Sequence, residues 1–302
     1  MSNFENICKY AKEKNAKKLS EIVNSEVCID VFNGIYTPVM FLAKSGEFEA
    51  VAFLIEQYNA NKRDAIQGYA IGGFTNKVNE FLKDSEDMDD YDAVIRGYAV
   101  SGNFPTVKIL IENSNNKNDS MNSAMWGYAF GGHTDEVNDL LSQHANADFA
   151  VWGYAQGGHV DNATALLKSG GNKDIAVWAY ALVCNTKQVE LLLQTGASRD
   201  EALSGYARGG HVKQVNSLLN QDSNHNCAIA GFATGGHIAE VNRLLDNNED
   251  RDFAVFGYAL GGHVAQVNQL LQKGVSRDEA IKGYRNGGYI AEAKKLEAAI
   301  HC

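Results

Sequence analysis

Histidines and cysteines are the side chains in this sequence whose types could do chemistry. An imidazole ligates zinc, and beside a thiol it serves as the general base of a cysteine nucleophile. Five histidines each follow a Gly-Gly pair: His133, His159, His211, His237 and His263. The cysteines are Cys8, Cys28, Cys184, Cys227 and Cys302. A zinc site and cysteine–histidine catalysis are therefore the first two chemistries to weigh.

The spacing of the histidines argues against a zinc site. From His133 to His159, and from His211 through His237 to His263, the interval is 26 residues. Stacked helices lie about 8–10 Å apart, whereas zinc holds its nitrogen ligands about 2 Å from one centre. One histidine per repeat therefore cannot converge on a metal. We predict turn histidines bonded to local backbone, with no metal and no cofactor.

No catalytic motif accompanies the cysteines. The sequence contains no nucleophile elbow, phosphate loop, zinc motif or kinase signature. The scattered cysteines indicate reduced thiols in a cytosol. Stacking could bring Cys184 to His159, and that pair is the basis of one alternative, an enzyme with a cryptic Cys/His site. Our expectation is that the protein is not an enzyme.

A Gly-Tyr dipeptide that recurs through the chain predicts the elements that position these residues. Its glycine or a substitute stands at Gly68, Gly97, Gly127, Gly153, Ala179, Gly205, Gly231, Gly257 and Gly283, and an aromatic residue follows each one. The interval is 29 and 30 residues at first and 26 thereafter. A fixed period of this length is typical of a solenoid. We predict an all-α solenoid of stacked helix-turn-helix repeats.

Residues 148–170 serve as the type repeat. Asp148 is the predicted N-cap of helix A, Phe149–Gln156, and Gly157-Gly158 ends that helix. Helix B then runs from His159 to about Lys168. The equivalent predicted caps are Asp92, Asn122, Asp174, Asp200, Asn226, Asp252 and Asp278.

Three repeated positions are predicted to lie inside the array. Glycine inside a helix costs roughly 1 kcal/mol relative to alanine, so its recurrence predicts close approach of the neighbouring helix. The aromatic residue after it should form an internal ladder. The asparagines of helix B are predicted to form an interior hydrogen-bonding ladder: Asn79, Asn138, Asn216, Asn242 and Asn268.

Composition narrows the classes of partner. The net charge of −10 disfavours nucleic acid. No apolar run approaches the roughly 18 residues that span a bilayer, and residues 1–6 do not resemble a secretory signal. The acidic residues at 84–92 indicate a solvated loop or, alternatively, a contact for a basic partner. We expect a cytoplasmic protein with a protein partner, no nucleic acid, no membrane, and a monomeric free state.

Nearly the whole chain resembles ankyrin repeats, and the resemblance is strong at residues 20–60. Residues 27–39, VCIDVFNGIYTPV, look like a β-hairpin tip followed by the Thr-Pro start of such a repeat. Residues 43–46 and 50–55 continue the similarity, and the later GGHxxxVNxLLxxGA pattern resembles the second ankyrin helix and its exit. Ankyrin repeats usually have 33 residues, so the 26-residue repeats imply that the hairpin fingers are mostly absent.

The resemblance implies one α-solenoid over residues 1–302. Residues 1–62 would be ankyrin-like N-terminal capping repeats, residues 63–278 shortened repeats, and residues 279–302 a C-terminal capping repeat. Such self-similar arrays also resemble repeat-containing effectors that intracellular bacteria send into a host cytosol. Residues 292–300 are mildly similar to the secretion tails of those effectors, and a terminal capping helix is the alternative.

The partner-binding prediction comes from positions that vary between repeats. On a helical wheel counted from the glycine, positions −4, −1 and +3 fall on one arc, which should face solvent. Many of these positions are apolar, and all three tryptophans occupy the −1 position. The predicted partner-binding residues are Trp126, Phe130, Phe149, Trp152, Gln156, Ile175, Trp178, Leu182, Arg208, Phe256 and Leu260. The alternative is that this face packs inside the array.

These observations favour a protein–protein interaction scaffold that binds a partner through the helix A face. The effector resemblance implies inhibition or regulation of a partner enzyme, or binding of another effector. A self-associating structural array is the other alternative.

Overall fold

The computed structural model describes residues 2–23, 28–83, 88–219, 224–245 and 251–298. These residues form 22 helices, and none of them lies in a strand. The all-α prediction is therefore confirmed. The helices are α1 (Asn3–Lys12), α2 (Ala16–Ile22), α3 (Pro38–Lys44), α4 (Phe48–Tyr58), α5 (Lys62–Ile71), α6 (Thr75–Leu82), α7 (Met88–Val100), α8 (Phe104–Glu112), α9 (Lys117–Gly131), α10 (Thr134–Ser142), α11 (Ala147–Gly157), α12 (Val160–Lys168), α13 (Lys173–Leu182), α14 (Thr186–Gln194), α15 (Arg199–Arg208), α16 (Val212–Leu218), α17 (His225–Thr234), α18 (Ile238–Leu245), α19 (Arg251–Leu260), α20 (Val264–Gln272), α21 (Arg277–Asn286) and α22 (Ile290–Ala298).

Helix A begins earlier than the sequence predicted. The N-cap of α11 is Asn146, whose side-chain oxygen accepts a hydrogen bond from the Asp148 N–H at 2.9 Å. Asn172 and Asn224 cap α13 and α17 in the same way. The predicted cap Asp148 is therefore wrong; its carboxylate stands in the first turn, where it complements the positive end of the helix dipole. Asp174, Asp200, Asn226, Asp252 and Asp278 likewise lie inside first turns, and Asp92 and Asn122 lie deeper inside α7 and α9.

The predicted helix ends are confirmed in the type repeat. Gly158 closes α11 with a left-handed φ of +84°, a conformation that a side chain would strain. Helix B then runs as α12, Val160–Lys168, close to the predicted bounds. The type repeat is thus a pair of short helices joined by a glycine turn, whereas in the turn between α13 and α14 Cys184 takes the left-handed conformation, with a φ of +60°.

The recurring glycine lies where two A helices touch. A methyl group built on Gly257 would stand 2.5 Å from the carbonyl oxygen of Ala230 and 2.8 Å from the Cβ of Ala233. Both contacts belong to the preceding A helix, and a backbone carbonyl cannot rotate aside. The predicted close approach is therefore confirmed, and it explains why the helix tolerates the propensity cost of glycine.

The aromatic residue after each glycine is buried, as predicted. Tyr154 is 2% exposed, Tyr180 is 1% exposed and Phe232 is fully enclosed. The asparagine prediction is wrong, because all five helix B asparagines are exposed. Each follows an inward-facing valine such as Val137, and the next residue points about 100° away around the helix.

The chain divides into two compact units. Unit 1 comprises Met1–Tyr10, Asn15–Tyr36 and Ala181–Cys302, and unit 2 comprises Ala11–Lys14 and Thr37–Tyr180. In unit 2 the A helices α3, α5, α7, α9 and α11 pack in succession. In unit 1 the succession is α15, α17, α19 and α21. The division at residues 62 and 278 stays a prediction.

Residues 28–36, the N-terminal segment, replace the hairpin that the ankyrin resemblance implied. The segment contains no strand and lies within unit 1. The Phe32 N–H donates to the Gly235 carbonyl at 3.0 Å. The Thr-Pro start that follows it is confirmed, because Thr37 caps α3 and Pro38 occupies its first turn.

The structure describes only part of two charged stretches, residues 84–92 and residues 292–300, and the described part of each is helical. Residues 84–87 of the predicted acidic loop lie outside the described residues. The loop prediction is wrong for residues 88–92, which begin α7, and Asp90 there pairs with Arg63 at 3.5 Å. Residues 290–298 form α22, which packs on α21. The described part of the predicted tail is therefore helical, while residues 299–302 lie outside the described residues.

Candidate protein-binding face

The three tryptophans at position −1 form a stack in unit 2. The ring centroids of Trp126 and Trp152 lie 5.7 Å apart, and those of Trp152 and Trp178 also lie 5.7 Å apart. Trp126 is 8% exposed, and the other two indoles are half-buried. The expectation that the indoles face solvent is wrong for Trp126 and holds only in part for its neighbours. Their rings mainly cover one another.

The indole N–H groups also indicate that the rings of the stack contact one another instead of facing solvent. The Nε1 atoms of Trp126 and Trp152 are buried and have no hydrogen-bond acceptor among the described residues. Contact between rings, rather than hydrogen bonding by these two N–H groups, therefore holds Trp126 and Trp152 in the stack.

At position +3, the turn of the following repeat bonds the backbone carbonyl, and the side chain is covered in some repeats and half-buried in others. The His159 Nε2–H donates to the Phe130 carbonyl at 3.1 Å, so the Gly-Gly-His turn lies against the end of the preceding A helix. Gln156 is 6% exposed and Leu182 is 1% exposed. A wheel of a single helix omits this neighbour, which is why the predicted exposure of these two residues is wrong. The remaining predicted residues are half-buried: Phe130, Phe149, Ile175, Arg208, Phe256 and Leu260.

The turn histidines form an inter-repeat ladder. His211, His237 and His263 place Nε2 at 2.9–3.0 Å from carbonyl oxygens of Leu182, Arg208 and Thr234, each 29 residues earlier. A carbonyl only accepts, so Nε2 carries the proton. The backbone bond was predicted, but it reaches the preceding repeat and is not local. Among the described residues, no three His, Cys, Asp or Glu side chains converge to hold a metal.

Burial sets the protonation of this ladder. It lowers the pKa of His237 and of His263 to about 4. His263 is therefore neutral at pH 7, and its free Nδ1 accepts from the Cys28 thiol at 3.3 Å. Burial, with the charge of Asp30 second, raises the pKa of Cys28 to about 12. This pair is a neutral hydrogen bond that ties the N-terminal segment to α19–α20, not a thiolate–imidazolium pair.

We predict that alkylating reagents spare Cys28 in the folded chain at neutral pH. A rise of the thiol pKa from 9.0 to about 12 lowers the thiolate fraction at neutral pH about a thousandfold. Peptide mass spectrometry after brief iodoacetamide treatment would measure the labelling of each cysteine. Denatured chain is the control, in which Cys28 should label fully. Labelling of Cys28 at the rate of free cysteine would contradict the neutral pair.

The cysteine of the alternative enzymatic pair is not activated. Burial raises the pKa of the Cys184 thiol, and the ring of His159 already donates to the Phe130 carbonyl. Cys184 belongs to unit 1 and His159 to unit 2.

An open depression lies on the helix A face of unit 1, and we call it the helix A groove. Its volume is about 240 Å³. Its lining residues occupy the first two turns of four successive A helices: Asp200, Glu201, Ser204, Asn226, Cys227, Ala230, Phe253, Phe256, Glu279 and Lys282. Short side chains at Cys227 and Ala230 leave the floor low, while Phe253 and Phe256 form a tall wall on the next helix.

Of the predicted residues, only Phe256 lines this groove. The overlooked signal was a repeat with short side chains at positions −4 and −1, followed by a repeat with two phenylalanines there. The prediction relied on the repeats with large side chains at positions −4 and −1. In the structure, the rings of those repeats pack against one another and fill the space that stays open in the groove. The open space instead lies over the small repeat.

The groove has an acidic rim. Asp200, Glu201 and Glu279 supply three carboxylates, against one ammonium from Lys282. That ammonium lies 3.5 Å from Glu279 and 5.5 Å from the centroid of the Phe256 ring. Desolvation, with the charges of Asp200 and Glu201 next, raises the pKa of Cys227 to about 11.

None of the described helices is long and apolar enough to cross a membrane. No protein-family model matches the chain, and no curated protein matches it.

Proposed function

We propose that this protein is a protein–protein interaction scaffold that binds a partner through the helix A face. One observation carries the proposal: the helix A groove, an open depression beside Phe253, which is 40% exposed. Exposed apolar surface beside a concavity is typical of interfaces. Aromatic anchors are also among the commonest hot spots of binding energy.

The finer parts of the proposal come from the resemblance. The Thr37-Pro38 start supports an ankyrin-like repeat, and the self-similar array supports an effector that inhibits or regulates a partner enzyme. We propose accordingly that the protein works in a cytosol, including that of a host cell. Its ligand would be another protein rather than nucleic acid or membrane, since the chain carries a net charge of −10.

Substitution of Phe253 tests whether the helix A face binds a partner. Peptides selected by display on the full chain should bind Phe253→Ser about tenfold more weakly than the wild type, because the variant loses an exposed aromatic contact. Fluorescence polarisation with each selected peptide would measure the affinity.

The matched control is Leu191→Ser. Leu191 is 47% exposed but lies on helix B, in α14. Its substitution should leave peptide affinity unchanged within about twofold. Equal sensitivity at Leu191 and Phe253, or peptide protection of B helices alone in hydrogen exchange, would refute the helix A face.

A further inference from the structure

We propose that the helix A groove receives an arginine side chain of the partner protein. The inference rests on the proposed function and specifies its chemistry. It depends on three properties of the groove: its size, its aromatic wall and its charge.

The size of the groove fits one side chain. Small-molecule pockets usually measure about 300–1,000 Å³, and the groove measures about 240 Å³. It is also open along the array, so an extended chain can lie across it and insert a single residue. The short floor at Cys227 and Ala230 leaves room for the stem of a long side chain.

The aromatic wall accepts a cation. Phe253 is 40% exposed, so one of its surfaces is open to a ligand. On the same wall, the Lys282 ammonium lies 5.5 Å from the centroid of Phe256, so a positive group already occupies this kind of place. A guanidinium stacks on an aromatic face more readily than an ammonium because it is planar and more weakly hydrated.

The charge of the groove selects the same ligand. Asp200 and Glu201 lie across the floor from Phe253, on α15, and together with Glu279 they give the lining three carboxylates against one ammonium. Desolvation is the main cause that raises the pKa of the Cys227 thiol at the floor, and the charges of Asp200 and Glu201 raise it further. Acidic residues in a first turn also complement the helix dipole. That role does not account for an exposed ring and a low floor beside them.

Arginine satisfies these three properties together. Its stem covers the apolar floor, its plane stacks on Phe253, and its fork donates two hydrogen bonds to a carboxylate. Lysine lacks the plane and the fork. Aspartate and glutamate are repelled by the rim.

The experiment uses positional-scanning peptide pools, each with one fixed residue, on the immobilised full chain. The test variant is Asp200→Asn with Glu201→Gln. Both changes are isosteric, and glutamine at 201 retains the capping position opposite Ser198, whose hydroxyl accepts from the Glu201 N–H at 3.2 Å. The control variant, Asp135→Asn with Glu190→Gln, removes the same charge from exposed sites on α10 and α14.

Arginine-fixed pools should be retained most strongly, and aspartate- and glutamate-fixed pools least. The groove variant should retain arginine pools about tenfold less than wild type, as expected for losing charge-assisted bonds. The control variant should stay within about twofold. Far-UV circular dichroism of each variant must match wild type, so that a change in retention reports the groove.

Equal retention of arginine pools by the groove variant and the wild type would overturn the inference. So would a loss in the control variant as large as in the groove variant, because that outcome indicates net charge alone. If pools without arginine are retained best and Phe253→Ser abolishes their retention, the proposed function stands and the inference fails. If no pool is retained, both fail.

Discussion

Gly127→Val is expected to lower the free energy of unfolding of unit 2 by about 3 kcal/mol, near the upper end of overpacking effects. A Cβ on Gly127 would stand 2.6 Å from the Arg96 carbonyl oxygen and 2.6 Å from the Ala99 Cβ. Neither atom can rotate away, so α9 would have to move off α7. Each helix in the stack packs on the next, and the displacement would disturb the neighbouring repeats.

Urea unfolding followed by tryptophan fluorescence would measure this effect. All three tryptophans belong to unit 2, so their emission reports that unit. The midpoint should fall while the slope stays constant. Ala165→Val, on the exposed side of α12 in the same unit, is the matched control and should cost less than about 1 kcal/mol. Coincident unfolding of the two variants would contradict the close approach of the A helices.

Acidification from pH 6.5 to 4 is expected to destabilise unit 1 by roughly 3 kcal/mol for each of His237 and His263. Burial lowers the pKa of both rings from 6.5 to about 4, and one pKa unit corresponds to about 1.4 kcal/mol. Between these values the unfolded chain binds a proton at each histidine that the folded chain does not. Stability is therefore complete above pH 6.5 and decreases as the pH falls towards 4.

The variant His263→Asn isolates this contribution from the titration of carboxylates. Repeats with Asn103 and Asn185 carry asparagine at the equivalent position, so the architecture accepts it. Urea unfolding at a series of pH values, read by hydrogen exchange in α17–α21, should show a pH-dependent loss about 3 kcal/mol smaller than in wild type. An unchanged pH dependence in His263→Asn would contradict the neutral buried ring.

The sequence predicts the repeat, its helices and its tight contacts because each of these features restricts the residue type at a particular position. Gly257 is required by a neighbouring backbone, Gly158 by a left-handed turn, and Tyr154 by an enclosed site. These demands recur with the period, so a single chain displays each one several times. The N-cap was misplaced by two residues because both Asn146 and Asp148 are capping types, and only hydrogen-bond geometry distinguishes them.

Exposure was decided by tertiary structure, because a side chain is covered by residues that are distant in sequence. Leu182 is covered although its own helix would leave it on the varying arc, and the carbonyl of Phe130 is bonded by a histidine 29 residues later. Cys28 meets His263 across 235 residues, a contact that no period encodes. The sequence by itself determined which residues each repeat needs to stack on the next. Only the packed array decided which surface stays open, since the groove exists where Cys227 and Ala230 are short and their neighbours are tall.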